Sequence, residues 1–101
     1  MQVCPTEVIH APVERVWYLL TDPRQFAHWS GAKLDEGPER PLRAGDRFIL
    51  RKRRMRISFQ VLDANALQHL RLYIHLPFGI LNHEQVQLSA LTTTACRVTF
   101  N

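Results

Sequence analysis

Glu84 is the carboxylate whose setting in the sequence suggests chemistry. It shares parity with Val86, Leu88 and Ala90, so in a strand it faces the apolar side, where burial favours the neutral acid. A carboxylic acid held there can donate a hydrogen bond to a ligand carbonyl or act as a general acid or base. At a strand end the same side chain is simply solvated, the commoner fate of a carboxylate. Asn82, two residues earlier on the same face, reads either as a second polar contact or as a turn residue.

The other reactive residue types form no constellation. The five histidines, His10, His28, His69, His75 and His83, show neither HxH nor HExxH spacing, so no metal site is predicted. His69, Arg71, Tyr73 and His75 alternate onto the outer face of one strand, an ordinary solvated surface. Ser30, Ser58 and Ser89 lack a GxSxG setting, and neither Cys4 nor Cys96 has a histidine close in sequence. With no glycine-rich phosphate loop either, no cofactor is expected. The two cysteines predict reduced thiols, with one bridge open to them if the terminal strands pair.

Charge is concentrated in one place. Between Arg47 and Arg56 the stretch RFILRKRRMR holds six of the 13 basic residues and no acidic one, leaving seven basic against nine acidic elsewhere. Arg51, Lys52, Arg53 and Arg54 straddle a predicted hairpin tip, with Arg56 on the outer face. Such a strip suits RNA phosphates, an anionic membrane surface or an acidic ligand, or it merely protects an exposed edge. No aromatic residues of the kind that stack bases interleave it.

The elements that must position these groups follow from periodicity. Gln2 to His10 reads as a first strand that Pro5 confines to an edge. APVERVWYLLTDP reads as a helix: Pro12 suits its first position, Val13, Val16, Trp17 and Leu20 share a face, and Pro23 stops it at Asp22. Asp22 then caps a second short helix from Pro23, with Phe26 and Trp29 on one face. Residues 30–46 are loop, apart from a short strand around Lys33 to Glu36. Beyond them the period changes to two. Phe48 and Leu50, then Met55, Ile57, Phe59 and Val61, point one way, and Asp63-Ala64-Asn65 marks a turn. Leu70, Leu72, Ile74 and Leu76 alternate up to the break at Pro77-Phe78-Gly79. Two further strands carry Val86 and Leu88, then Cys96, Val98 and Phe100, on the same side. The class is α+β: one antiparallel meander with an apolar and a polar face, plus two short helices.

Length and composition set the outer bounds. The 101 residues, 46% hydrophobic and 22% charged with a formal net charge of +4, describe a single domain spanning 1–101. No apolar run approaches the roughly 18 to 20 residues that cross a bilayer, and the start carries no secretory signal pattern. The expectation is an unprocessed, cytoplasmic protein with no transmembrane segment.

The stretch I-x-A-P-x-x-x-V-W-x-x-L-x-D-P-x-x-F-x-x-W, Ile9 to Trp29, with Gly45-Asp46-Arg47-Phe48 and Leu76-Pro77-Phe78-Gly79 followed by Asn82 and Glu84, resembles the START-like or SRPBCC superfamily. Within it, the polyketide cyclase/dehydrase and lipid-transport group is the nearest. The resemblance implies a helix-grip fold, in which a curved antiparallel sheet wraps a long C-terminal helix around an apolar cavity. That helix has no counterpart in this sequence, so the expectation is a C-terminally truncated domain, or one whose apolar face is covered by a second copy. Leu70, Leu72, Ile74, Ile57 and Phe59 would otherwise form a bare apolar face, and this predicts a homo-oligomer, most simply a dimer.

Inward alternation nominates Phe48, Leu50, Met55, Ile57, Phe59, Leu72, Ile74, Val86, Leu88 and Val98 as cavity walls; the same alternation describes plain core. The resemblance turns core into pocket, adds Trp29 at the mouth, and makes Glu84 the candidate acid/base. The leading expectation is binding of a hydrophobic small molecule: a lipid, a quinone or a polyketide-like compound. A polyketide cyclase/dehydrase using Glu84 is the enzymatic alternative. An RNA- or ribosome-associated domain using the basic hairpin is a further one.

Overall fold

The computed structural model describes residues 6–100. Seven strands form one antiparallel sheet: β1 (Thr6–Ile9), β2 (Lys33–Glu36), β3 (Arg47–Lys52), β4 (Met55–Asn65), β5 (His69–His75), β6 (Leu81–Thr92) and β7 (Ala95–Phe100). Their spatial order is β1-β7-β6-β5-β4-β3-β2, a meander from β2 to β7 with β1 returning to the far edge. Two helices, α1 (Val13–Thr21) and α2 (Pro23–Trp29), follow β1, and a single 3-10 turn (Pro77–Gly79) joins β5 to β6. The α+β class is as expected, and β1 is an edge strand; Pro5 and Cys4 lie outside the described residues.

The corner between the helices forms as the sequence dictates. Pro12 stands one position ahead of the helix, and its carbonyl accepts from Arg15 N–H at 3.0 Å. Asp22, extended at φ −88° and ψ 118°, ends α1 and caps α2: its Oδ1 accepts from the backbone N–H of Arg24 at 2.9 Å and of Gln25 at 3.1 Å. Two donors that the short helix leaves unpaired are thereby satisfied. The corner turns the apolar faces of both helices onto the sheet.

One buried cluster joins Val13, Val16 and Leu20 of α1, Phe26 and Ala27 of α2, and Leu42 to Phe48, Leu50, Phe59, Val61, Leu70, Leu72, Val86, Leu88, Cys96 and Val98 of the sheet. Phe48 and Phe59, cross-strand partners, stack at 4.6 Å with planes 6° apart. Phe26 meets them edge-on at 5.4 and 5.5 Å, the favoured aromatic geometry. Leu42 is drawn in by its N–H, which donates to the Thr21 carbonyl at 2.8 Å. The loop carrying it is closed by Asp46, whose carboxylate takes both Arg40 Nη atoms at 2.7 and 2.9 Å and the Arg43 N–H at 2.8 Å. The Arg40 guanidinium holds the Asp46 carboxyl below its ordinary range, with help from the Arg43 N–H and against partial burial.

Two expectations change. The turn at Asp63-Ala64-Asn65 is strand: the β4–β5 register shifts between Val61 and Asp63, a bulge that resets the alternation, and β4 continues to Asn65. Leu70, Leu72 and Phe59, assigned to a bare face, are 0, 2 and 6% exposed. The helix pair and the pinned Leu42 loop cover them, which removes most of the apolar area on which the expected dimer was argued. Ile57 and Ile74 stay only partly buried against the cluster. Among the described residues no third α-helix crosses the concave face, and no helix is long and apolar enough to span a membrane.

Candidate functional site

Where helix coverage stops, the concave side opens into an apolar cleft of about 210 Å³ lined by Ile9, Ala11, Val16, Leu19, Leu20, Trp29, Val98 and Phe100. Each wall has a clear origin. Ile9 closes β1 opposite Cys96 of β7, Val98 and Phe100 follow on the same face of β7, and Val16, Leu19 and Leu20 come from α1. Trp29, the last residue of α2, completes the rim: its indole Nε1–H donates to the Leu19 carbonyl at 2.7 Å, and its ring lies 4.6 Å from Phe26. The indole is 48% exposed, yet its one polar atom is already engaged. What Trp29 offers to the cleft is an apolar ring face held in a fixed orientation.

Of the residues nominated as cavity walls or mouth, Trp29 and Val98 line this cleft. Phe48, Leu50, Phe59, Leu72, Val86 and Leu88 belong to the buried cluster, so the alternation that nominated them describes core at these positions. Ile57 and Ile74 border that cluster, and Met55 is exposed beside the β3–β4 turn. Glu84 stands opposite Leu72 in the β5–β6 register. It therefore faces the concave side as expected, half-buried, two residues along β6 from Val86, the cross-strand partner of the cleft residue Phe100. Asn82, opposite Ile74, is exposed on the same side. Ile9, Ala11, Val16, Leu19, Leu20 and Phe100 were not read as site residues. The motif running from Ile9 to Trp29 supplies five of those six, so the signal lay in the segment that carried the resemblance.

The remaining polar groups are distributed over the opposite face and the sheet ends. His69 Nε2 lies 3.2 Å from Asp63 Oδ2, Tyr73 packs against His83 at 5.3 Å, and Arg71 Nη2 approaches His83 Nε2 at 3.4 Å. Among the described residues no three His, Cys, Asp or Glu side chains converge as metal ligands would. Cys96 is buried, and burial raises its thiol pKa, with Glu14 adding to the effect. This makes it a poor nucleophile. The basic strip forms the expected hairpin: Arg51 and Arg56 face each other across β3 and β4 and share Asp35 at 3.0 and 3.4 Å.

No protein-family profile matches the chain, and no curated protein matches it. Solved structures do. CalU16 from Micromonospora echinospora superposes with a TM-score of 0.70 at 21% identity, covering 94% of this chain and 56% of CalU16. DynU16, a protein of the dynemicin biosynthetic locus, gives 0.73 at 20% identity over 98% of this chain and 36% of DynU16. PFC0360w, an HSP90 activator from Plasmodium falciparum, gives 0.74 at 14% identity, covering 97% of this chain and 69% of that one. The chain thus spans about half and about a third of the lengths of the first two. At these identities the likeness shows the fold, a curved helix-grip sheet carrying two short helices.

Proposed function

We propose that this chain binds an apolar small molecule, of lipid, quinone or polyketide type, as members of the START-like superfamily it resembles do. The observation that carries the reading is the cleft against Trp29: eight lining residues, all apolar, with the one polar atom at the rim already satisfied by Leu19. A site of this kind selects by shape and hydrophobicity, and a bound group gains by leaving water. Its volume of about 210 Å³ lies below the roughly 300–1,000 Å³ of pockets that enclose a drug-sized ligand. The cleft therefore grips one apolar segment, and the rest of the ligand lies outside it. The shared fold with a protein of a biosynthetic locus supports a small-molecule occupant.

Native mass spectrometry of protein purified gently from its expression host tests the reading. A non-covalent organic adduct that is lost in the Ala11→Leu variant, whose added carbons fill the cleft, is the expected result. An adduct retained by that variant places the ligand elsewhere. No adduct, together with no quenching or blue shift of Trp29 emission on titration with N-phenyl-1-naphthylamine, overturns the reading. The same spectra give the subunit count, and so test the expected dimer.

A further inference from the structure

We propose that the end of the sheet carrying the β3–β4 and β5–β6 connections docks on an anionic lipid surface, a second binding function that stands independently of the cleft. Phe78 is 99% exposed, the full ring presented to solvent. It sits at the tip of a short loop closed by the Leu76 N–H donating to the Ile80 carbonyl at 2.8 Å. Its backbone is left-handed at φ 68°, followed by Gly79 at 75°, a conformation uncommon for a bulky non-glycine residue. Ile80 and Leu81 beside it are exposed as well. A large ring displayed on a constrained tip gains nothing for the core; strain of this kind points to function.

The second half of the surface is cationic. Ser58 of β4 pairs with His75 of β5, and from that pair each chain runs three residues on: back to Met55 at the β3–β4 turn, and forward to Phe78. The two tips therefore project side by side, roughly 10 Å beyond the same line of the sheet. The first tip presents Lys52, Arg53 and Arg54 around an exposed Met55. Arg51 and Arg56 share the single carboxylate of Asp35, whereas Lys52, Arg53 and Arg54 form no ion pair among the described residues. An apolar tip beside unpaired cations matches an anionic membrane interface: the ring and aliphatic side chains enter the headgroup boundary while the cations meet lipid phosphates. Nucleic acid satisfies the cations and offers a base to stack on Phe78, but it leaves the exposed aliphatic side chains of Ile80 and Leu81 without a role.

Sedimentation of the full chain with vesicles of phosphatidylcholine alone, and of an equal mixture with phosphatidylglycerol, tests the assignment. Binding to the anionic vesicles that weakens with salt is expected, with little to the neutral ones. Phe78→Ser, at a position with no packing to lose, lowers that binding roughly ten-fold or more without changing the melting temperature. Each of Arg53→Glu and Arg54→Glu lowers it about five-fold or more. Absence of binding to anionic vesicles refutes the proposal, as does binding that Phe78→Ser leaves intact. Two further results assign this surface to another occupant and also overturn the proposal: retention on single-stranded RNA with vesicles ignored, and a larger species in solution that Phe78→Ser dissociates, which makes the occupant a second copy of the chain.

Discussion

Affinity for a series of straight-chain 1-alkanols should rise with length and then stop rising at a length fixed by the cleft. At about 30 Å³ for a methylene-sized group, taken as a water's share of liquid volume, a cleft of about 210 Å³ holds about seven carbons. Each buried methylene contributes about 0.8 kcal/mol, or about four-fold in affinity. The dissociation constant should fall about four-fold per carbon up to about seven, then flatten as further carbons reach solvent past Trp29. Ala11→Leu inserts three carbons into the same space. It should move the break to about four carbons and weaken the saturating alkanols by about 2.4 kcal/mol, some fifty-fold. Trp29 emission reports the titration, because its ring lines the cleft; Trp17 is partly buried against the core and serves as the constant background. A slope that continues unbroken to twelve carbons would mean that the ligand lies along the uncovered sheet, not in the cleft. A break that stays near seven carbons in Ala11→Leu would refute the assignment of the walls.

Other perturbations test the fold and its electrostatics. Phe26→Ala removes the ring that bridges Phe48, Phe59 and Trp29 and should cost about 3–5 kcal/mol in urea unfolding. Asp22→Ala deprives Arg24 and Gln25 of their cap and should cost about 1 kcal/mol. The Asp46 carboxyl is held below its ordinary range in the folded chain. Its contribution to stability is therefore complete above the unfolded value of about 3.9 and is lost as pH falls from there through the folded value. Asp46→Asn should lower the urea midpoint at neutral pH and flatten the acid limb of the stability profile, and an acid limb unchanged from wild type would contradict the assignment. Glu84→Gln should leave alkanol affinity within about two-fold, since Glu84 is not a cleft wall; loss of a product-forming activity in that variant would instead support the proton chemistry that the cyclase/dehydrase alternative requires.

What could be read from the sequence, and what could not, divide along a physical line. Alternation reports which face of a strand is apolar, and it gave the correct side for Phe48, Leu50, Phe59, Leu72, Val86, Leu88 and Glu84, because the period of two is set within each strand and burial of the apolar set then selects the register. The helix corner was equally legible, because Pro23 and the Asp22 cap act within four residues. The bulge that carries β4 past Asp63 was hidden, since one inserted residue is a matter of pairing with β5 and leaves no compositional mark. Coverage was hidden for the same reason. Whether Leu70 ends in core or on an open face depends on where α1, α2 and the Leu42 loop come to rest, and that is decided by contacts between segments far apart in the chain.

The position of the cleft follows from the same argument. Two helices totalling 16 residues can cover only part of a seven-stranded sheet, and they cover the β3 to β6 centre, because Phe26 is captured by the stacked Phe48–Phe59 pair and Leu42 is tied to Thr21. Once α2 is fixed there, α1 must bridge from the centre to the β1 edge where the chain enters. Its outer turns then stand off from β7. Small and medium residues at that gap, Ala11, Val16 and Val98, cannot fill it, and Trp29, tethered to Leu19, stands at its rim without closing it. The candidate site is thus the boundary between covered and uncovered sheet: a gap with apolar walls from β1, α1, α2 and β7 that the packing of the core creates and leaves unfilled.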